Sequence, residues 1–162
     1  GVAVCAVHEY FKIDHEIWKV WMELMITNRN ATLVLASRPF KTLVRTRLRE
    51  LARAAGVSPM RVRFLPRFSD RSSYAAILRG CDLQLDTPKF NAQTTAADLL
   101  WAGVPIVTLP SDRYVGRVGA SLAMGHVSGV YIARDTQDYL RIAAALIAAA
   151  GRERERERER ER

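Results

Sequence analysis

Thr94 and Thr95 stand where an apolar strand gives way to a helix, in the run CDLQLDTPKFNAQTTAADLLWAGVPIVTLP spanning residues 81–110. Leu83 and Leu85 mark the strand, Asp86-Thr87-Pro88 ends it, and a polar loop leads to a helix expected to begin near Thr94. The first turn of a helix leaves backbone N–H groups unpaired and carries the positive end of the helix dipole. A phosphate can sit there, with the two hydroxyls as extra donors and the small side chains of Ala92, Ala96 and Ala97 leaving room. The same residue types also fit an ordinary N-cap. Lys12, just past the first strand in HEYFKID, would lie on the same carboxyl edge, where an ammonium could neutralise phosphate charge. Asp98, one turn after Thr94, reads as a carboxylate stabilising the first turn through the dipole.

These residues need a parallel sheet to bring them together, and the rest of the chain supplies the pattern. Strand-like and helical runs alternate: VAVCAV then 14–27, TLVLAS then 40–55, VRFLP then 70–80, DLQLD then 94–102, IVTLP then 113–124, and GVYIA then 135–149. Such alternation predicts an α/β fold, a Rossmann-like parallel sheet with helices on both faces. Ile17, Trp18, Trp21, Leu24 and Met25 recur at helical spacing and belong to the core. Asp112 and Asp135 read as N-caps and Gly56 as a C-cap. In the helix after the loop, Ala97, Leu100 and Trp101 give the apolar face, and Gly103 before Val104-Pro105 stops it.

The 162 residues suffice for one domain with a sizeable core, and 49% apolar with 26% charged residues is ordinary for a globular protein. The chain starts inside an apolar strand without methionine, which looks like the cut edge of something longer. No run reaches membrane-spanning length and none has the layout of a secretion signal, so a cytoplasmic or nuclear location and no membrane partner are expected. Cys5 and Cys81 lack metal-ligand spacing and are expected as buried thiols. His8, His15 and His126 form no metal cluster by spacing, and no Ser/His/Asp triad is visible. The expected organisation is a lobe over 1–150 and a low-complexity Arg-Glu tail over 151–162. In that tail opposite charges fall at i,i+3 and like charges at i,i+4, so a lone helix is weakly supported. The tail contributes +1 of the formal +8. Ten basic residues between Arg38 and Arg71 face only Glu50 and Asp70. Without aromatic interleaving or a nucleic-acid motif, this patch reads as a solvated face and not as a nucleic-acid surface.

The stretch DTPKFNAQTTAADLLWAGVPIVTLP resembles the catalytic region of the protein O-GlcNAc transferase family, whose pattern is DTPxxNGHTTxxDxLWAGxPxVTxP. The likeness continues through SDRYVGRVGASLAMGHVSGVYIARDTQDYLRIA and upstream to VHEYFKID, so it covers roughly residues 2 to 145. The resemblance implies the C-terminal, nucleotide-sugar-binding lobe of a two-lobed GT-B glycosyltransferase. On it, Lys12 matches the lysine that contacts the UDP phosphates, and Asp98 matches an aspartate assigned to the ribose hydroxyls. The loop PRFSDRSSY matches the segment lying against uracil and ribose. There Ser69 would offer backbone groups to the base edge, Arg71 would lie along the ribose, and Tyr74 would stack on the ring or pack at its helix start. Five departures stand out: Gln93 where the family has histidine, with Ala92 for the glycine before it; Tyr74 for another histidine; and His8 and Glu9 for Asn and Gln. Gln93 can donate a hydrogen bond but cannot become cationic, and Glu9 would repel a diphosphate unless turned away or paired.

What the resemblance implies is transfer of GlcNAc from UDP-GlcNAc to Ser or Thr of proteins, with no cofactor and no metal beyond the donor. Acceptors would be presented through an N-terminal lobe and helical repeats, and no 34-residue repeat occurs in this chain. The isolated lobe is expected to be inactive. Two alternatives stay open: a protein O-fucosyltransferase-like lobe using a GDP sugar, and a degenerate module that binds partners or nucleic acid.

Overall fold

Six parallel strands lie side by side in the order β3-β2-β1-β4-β5-β6 in the computed structural model, which describes residues 1–36, 42–65, 71–124 and 129–161, the side chains of 71–73 excepted. The strands are β1 (Val2–Ala6), β2 (Ala31–Leu35), β3 (Val62–Phe64), β4 (Leu83–Leu85), β5 (Ile106–Thr108) and β6 (Val130–Ile132). Between and after them run α1 (His15–Thr27), α2 (Thr42–Ala54), α3 (Arg71–Leu78), α4 (Gln93–Trp101), α5 (Val118–Met124) and α6 (Thr136–Arg160). Each expected strand-helix unit is present. The strand order reverses between β1 and β4, whose register pairs Val4 with Leu83 and Cys5 with Gln84. The crevice beyond their carboxyl ends is the switch point of a doubly wound sheet.

Side chains alternate across β1 as a strand dictates. Val2, Val4 and Ala6 join Trp18, Trp21, Met25, Ala52, Tyr139 and Ile147 in the core beneath α1, α2 and α6. Cys5 and Val7 face the opposite core with Leu78, Ala96, Leu99 and Ile106. Trp18, Trp21, Leu24 and Met25 are buried as their spacing predicts.

Local signals were obeyed where the chain's own chemistry sets them. Asp14 caps α1, its Oδ1 accepting from the N–H groups of Glu16 and Ile17, both at 2.9 Å. Asp135 caps α6 and accepts from Asp138 N at 2.8 Å. Gly56, at φ +84°, closes α2 while Val57 N donates to Ala52 O at 2.9 Å, and Gly103, at φ +83°, closes α4 in the same way. Asp112 caps no helix; a 3-10 turn over Tyr114–Gly116 comes first, and α5 begins only at Val118.

Three expectations are corrected. Cys5 and Cys81 form a disulfide with Cα atoms 5.8 Å apart and are not free thiols. They are 76 residues apart in sequence, and only the insertion of β4 beside β1 brings them together. The buried face of α4 is Ala96 and Leu99, while Trp101 is 93% exposed. The Arg-Glu segment is helical: α6 runs unbroken to Arg160. Tyr139, Leu140, Ala143 and Ile147 anchor its first half in the core, so the tail has only to propagate a helix that packing has already nucleated. Arg154 ties it down, Nε reaching Asp82 Oδ1 at 2.9 Å and Oδ2 at 3.0 Å.

The basic patch is partly spent on structure. Arg61 donates to the carbonyls of Ala31 and Asn28, and Arg49 donates to Val62 O and covers the Phe64 ring. No helix among the described residues is long and apolar enough to cross a membrane.

Candidate nucleotide-sugar site

Two segments meet at the switch point. β1 continues through His8 into a 3-10 turn over Tyr10–Lys12, and β4 continues through Asp86 into the loop 87–92 and α4. Lys12 Nζ donates to Asn91 O at 2.7 Å and lies 4.2 Å from the centre of the Phe90 ring. The ammonium of Lys12 therefore stands against the last turn of loop before α4, as the strand-end argument predicted. Partial burial pulls its pKa down and the Asp86 carboxylate pulls it back up. Phe11 is 74% exposed and meets Phe90 edge-on at 5.9 Å.

Helix α4 starts at Gln93, one residue before the threonines. Ala92 occupies the cap position and its side chain accepts nothing. The capping role weighed for Thr94 and Thr95 is therefore not theirs: both lie inside the first turn, Thr94 exposed and Thr95 half-buried. Ala92 N is taken by Asp86 Oδ1 at 2.8 Å, and Ala96 N by Ala92 O. The N–H groups of Gln93, Thr94 and Thr95 have no acceptor among the described residues. Gln93 itself adopts φ +37°, a left-handed conformation that side-chain-bearing residues seldom enter. The arrangement is three N–H groups without an acceptor among the described residues at a helix N-terminus, with the Lys12 ammonium bonded to the loop just before it, a layout that favours an anion. Asp98 is exposed on the second turn of α4.

Asp86 and Asn91 are the residues that sequence reasoning missed. Asp86 is fully buried. Its Oδ1 accepts from Thr87 N at 3.0 Å and Ala92 N at 2.8 Å, and its Oδ2 accepts from Thr108 Oγ1 at 2.9 Å. Burial raises its pKa to about 6 against the pull of those three donors and of Lys12. Its backbone oxygen accepts from Tyr139 Oη at 2.9 Å, and Tyr139 in turn accepts from Trp21 Nε1 at 3.3 Å. Asn91, also fully buried, accepts from Gly119 N at 2.8 Å and donates to Thr87 O at 2.9 Å. The available signal was an acid directly after an apolar parallel strand, a place where solvent exposure is not the default.

His8 is buried beside Trp21, ring centres 6.1 Å apart, with no hydrogen-bond partner for either ring nitrogen among the described residues. Desolvation first, then the charge of Lys12, lowers its pKa to about 4, so the ring is neutral at physiological pH. Glu9 is half-buried where the 3-10 turn begins. Tyr74 is half-buried and packs against the core under α3 and α4. Ser69 lies outside the described residues, and so does the side chain of Arg71, whose backbone opens α3. Thus Lys12, Gln93, Thr94 and Thr95 converge on one end of the sheet. Among the described residues no group of His, Cys, Asp and Glu could hold a metal ion.

A probable UDP-N-acetylglucosamine–peptide N-acetylglucosaminyltransferase SEC of Arabidopsis thaliana is 34% identical over 117 residues, covering 72% of this chain and 12% of that protein. The UDP-N-acetylglucosamine–peptide N-acetylglucosaminyltransferase of Caenorhabditis elegans is 28% identical over 152 residues, 90% of this chain and 12% of that one. Among solved structures, a mutant O-GlcNAc transferase of Thermobaculum terrenum superposes with a TM-score of 0.81 at 26% identity, covering 90% of this chain and 28% of that chain. A trehalose-phosphate synthase of Burkholderia vietnamiensis shares the fold, with a TM-score of 0.58 at 12% identity. The chain thus spans about an eighth of the length of the first two relatives. The family model for glycosyl transferase family 41 matches residues 1–159, and the chain belongs to that family.

Proposed function

We propose that this chain is the C-terminal donor-binding lobe of an inverting protein O-GlcNAc transferase that uses UDP-GlcNAc and modifies Ser or Thr hydroxyls of proteins. The observation that carries the reading is the bond of Lys12 Nζ to the Asn91 carbonyl just before α4, whose first N–H groups, those of Gln93, Thr94 and Thr95, have no acceptor among the described residues. In transfer, the acceptor oxygen attacks the anomeric carbon as its proton is released to solvent or to the departing diphosphate, the bond to the diphosphate oxygen breaks, and negative charge builds on the departing UDP. In this reading Lys12, the helix N-terminus and the Thr94 and Thr95 hydroxyls would stabilise that charge as it develops, the interaction that lowers the barrier. Asp98 would accept from the ribose hydroxyls, and the segment from Ser69 through Arg71 to Tyr74 would hold the base. No metal or cofactor takes part in this scheme.

Acceptor proteins would reach the site through an N-terminal lobe and helical repeats of the parent protein, which would work in the cytoplasm or nucleus. The isolated lobe leaves sugar and acceptor uncovered and should have negligible transferase activity. Calorimetric titration of UDP, GDP and UDP-GlcNAc into the chain, its Lys12→Ala variant and its Thr94→Ala/Thr95→Ala variant tests the reading. Saturable UDP binding weakened at least tenfold in both variants is expected, the loss corresponding to one charge-assisted contact or more. Preference for GDP would move the assignment to a GDP-sugar enzyme. Equal binding by all three proteins would refute the roles given to these residues.

A further inference from the structure

The loop that leads into α4 is held by a buried carboxylate, Asp86. The loop 87–92 leaves β4 and delivers α4 with the N–H groups of Gln93, Thr94 and Thr95 unpaired among the described residues. Asp86 closes that loop on itself: the same Oδ1 takes Thr87 N at its start and Ala92 N at its end. Oδ2 is fixed by Thr108 Oγ1 on the neighbouring strand β5. From the other side α5 presses on the pair, since a Cβ on Gly119 would lie 2.6 Å from Thr108 Oγ1 and 2.7 Å from Asp86 Oδ2. Asn91 repeats the clasp one layer out, joining Thr87 O to Gly119 N, and its own carbonyl holds Lys12 Nζ.

We propose that Asp86 is the positioning residue of the diphosphate site, fixing the N-terminus of α4 and, through the Asn91 carbonyl, the place of Lys12. For what the site holds, this inference rests on the donor-lobe reading above; for how the site is held, it rests on geometry alone. A buried carboxylate at this point repels an anion, so its presence costs affinity unless its hydrogen bonds are needed. Every one of its acceptor contacts goes to the frame of the site. The charged group facing it is Lys12 on the 3-10 turn; Tyr139 on α6 donates to its backbone oxygen, and Thr108 on β5 and Gly119 on α5 are uncharged.

The test uses residue-resolved amide exchange on the chain without ligand, with UDP-GlcNAc titration as a second arm. Asp86→Asn keeps one oxygen for the two N–H groups and an amide for Thr108, whereas Asp86→Ala leaves all three donors unpaired. In Asp86→Ala, exchange at Thr87 and Ala92 is expected to quicken about tenfold or more while the amides of β2 stay as in the wild type. UDP-GlcNAc affinity should fall by a similar factor. Asp86→Asn should restore both to within about threefold. Thr108→Val, which removes only the Oδ2 contact, gives a smaller change in the same direction and serves if Asp86→Ala does not fold. Unchanged exchange at Thr87 and Ala92 in the altered chains, or a uniform rise across the whole sheet that Asp86→Asn does not repair, overturns the proposal. Absence of UDP-GlcNAc binding by the wild type would count against the donor-lobe reading, while the exchange arm would still decide whether Asp86 frames the loop.

Discussion

Gly119→Ala is a one-carbon change that loads the frame of the site directly. The added Cβ would stand 2.6 Å from Thr108 Oγ1, 2.7 Å from Asp86 Oδ2 and 3.0 Å from Thr108 Cβ, where ordinary contact begins at 3.4 Å. The shortfall is thus 0.8 and 0.7 Å against two oxygens that are hydrogen-bonded to each other and fully buried. Neither can swing away without losing its partner, so α5 must retreat and stretch the 2.8 Å bond from Gly119 N to Asn91 Oδ1. Two contacts this short put the overpacking cost in the upper part of its usual range, about 2–3 kcal/mol, offset by roughly 1 kcal/mol from the better helix propensity of alanine. A net loss of about 1–2 kcal/mol is expected, which at a urea slope near 2 kcal/mol/M lowers the unfolding midpoint by about 0.5–1 M. Gly80→Ala is the control, because its Cβ would meet only Ile77 O at 3.2 Å, and its midpoint should move much less. Urea unfolding followed by tryptophan fluorescence measures both. An unchanged or raised midpoint for Gly119→Ala would refute the claim that α5 is packed rigidly against Asp86 and Thr108.

Breaking the Cys5–Cys81 bridge by Cys→Ser at both positions, or by reduction, frees a span of 76 residues. It should cost about 4 kcal/mol on the chain-entropy account; a melting temperature unaffected by reductant would contradict it. His8 and Asp86 make opposite contributions to the pH dependence of stability. The folded pKa of His8 is depressed to about 4, so the unfolded chain takes the proton first and stability drops as pH falls from 6.5 towards 4. The folded pKa of Asp86 is raised to about 6, so the folded chain takes that proton first and stability rises over the window from 6 to 3.8. The two nearly cancel in the wild type. In His8→Asn only the Asp86 contribution remains, so the variant should gain about 2–4 kcal/mol relative to wild type between pH 7 and pH 4. Parallel stability curves for the two proteins from pH 7 to pH 4 would show that His8 is not a buried neutral ring.

What the sequence made legible was local or followed from strand direction. Alternating apolar runs and capped helices gave the order of elements, with Asp135 and Gly56 found at their helix ends. Lys12 and the start of α4 converge because residues that follow parallel strands share an edge, which needs no knowledge of strand order. The order itself was not legible, and with it went the disulfide: Cys5 and Cys81 are partners only because β4 lies next to β1. From its sequence position Asp86 reads as the polar end of a strand. Its burial comes from Gly119 and Thr108, which arrive from α5 and β5 more than 20 residues later. The Arg-Glu segment was weighed as an isolated helix, whereas it inherits its helicity from the packed half of α6 and gains Asp82 as an anchor. In α4 the face that packs inward carries Ala96 and Leu99, a matter of how the helix docks on the sheet, and Trp101 lies outside it.

The most direct test of the central claim follows the backbone amides of Gln93, Thr94 and Thr95 by nitrogen-proton correlation NMR while UDP-GlcNAc is added. A donor diphosphate seated at the start of α4 predicts saturable downfield shifts at these three amides, as open N–H groups acquire a charged acceptor, and their loss in Lys12→Ala. Saturable binding that leaves these amides unmoved and shifts residues elsewhere would contradict the account.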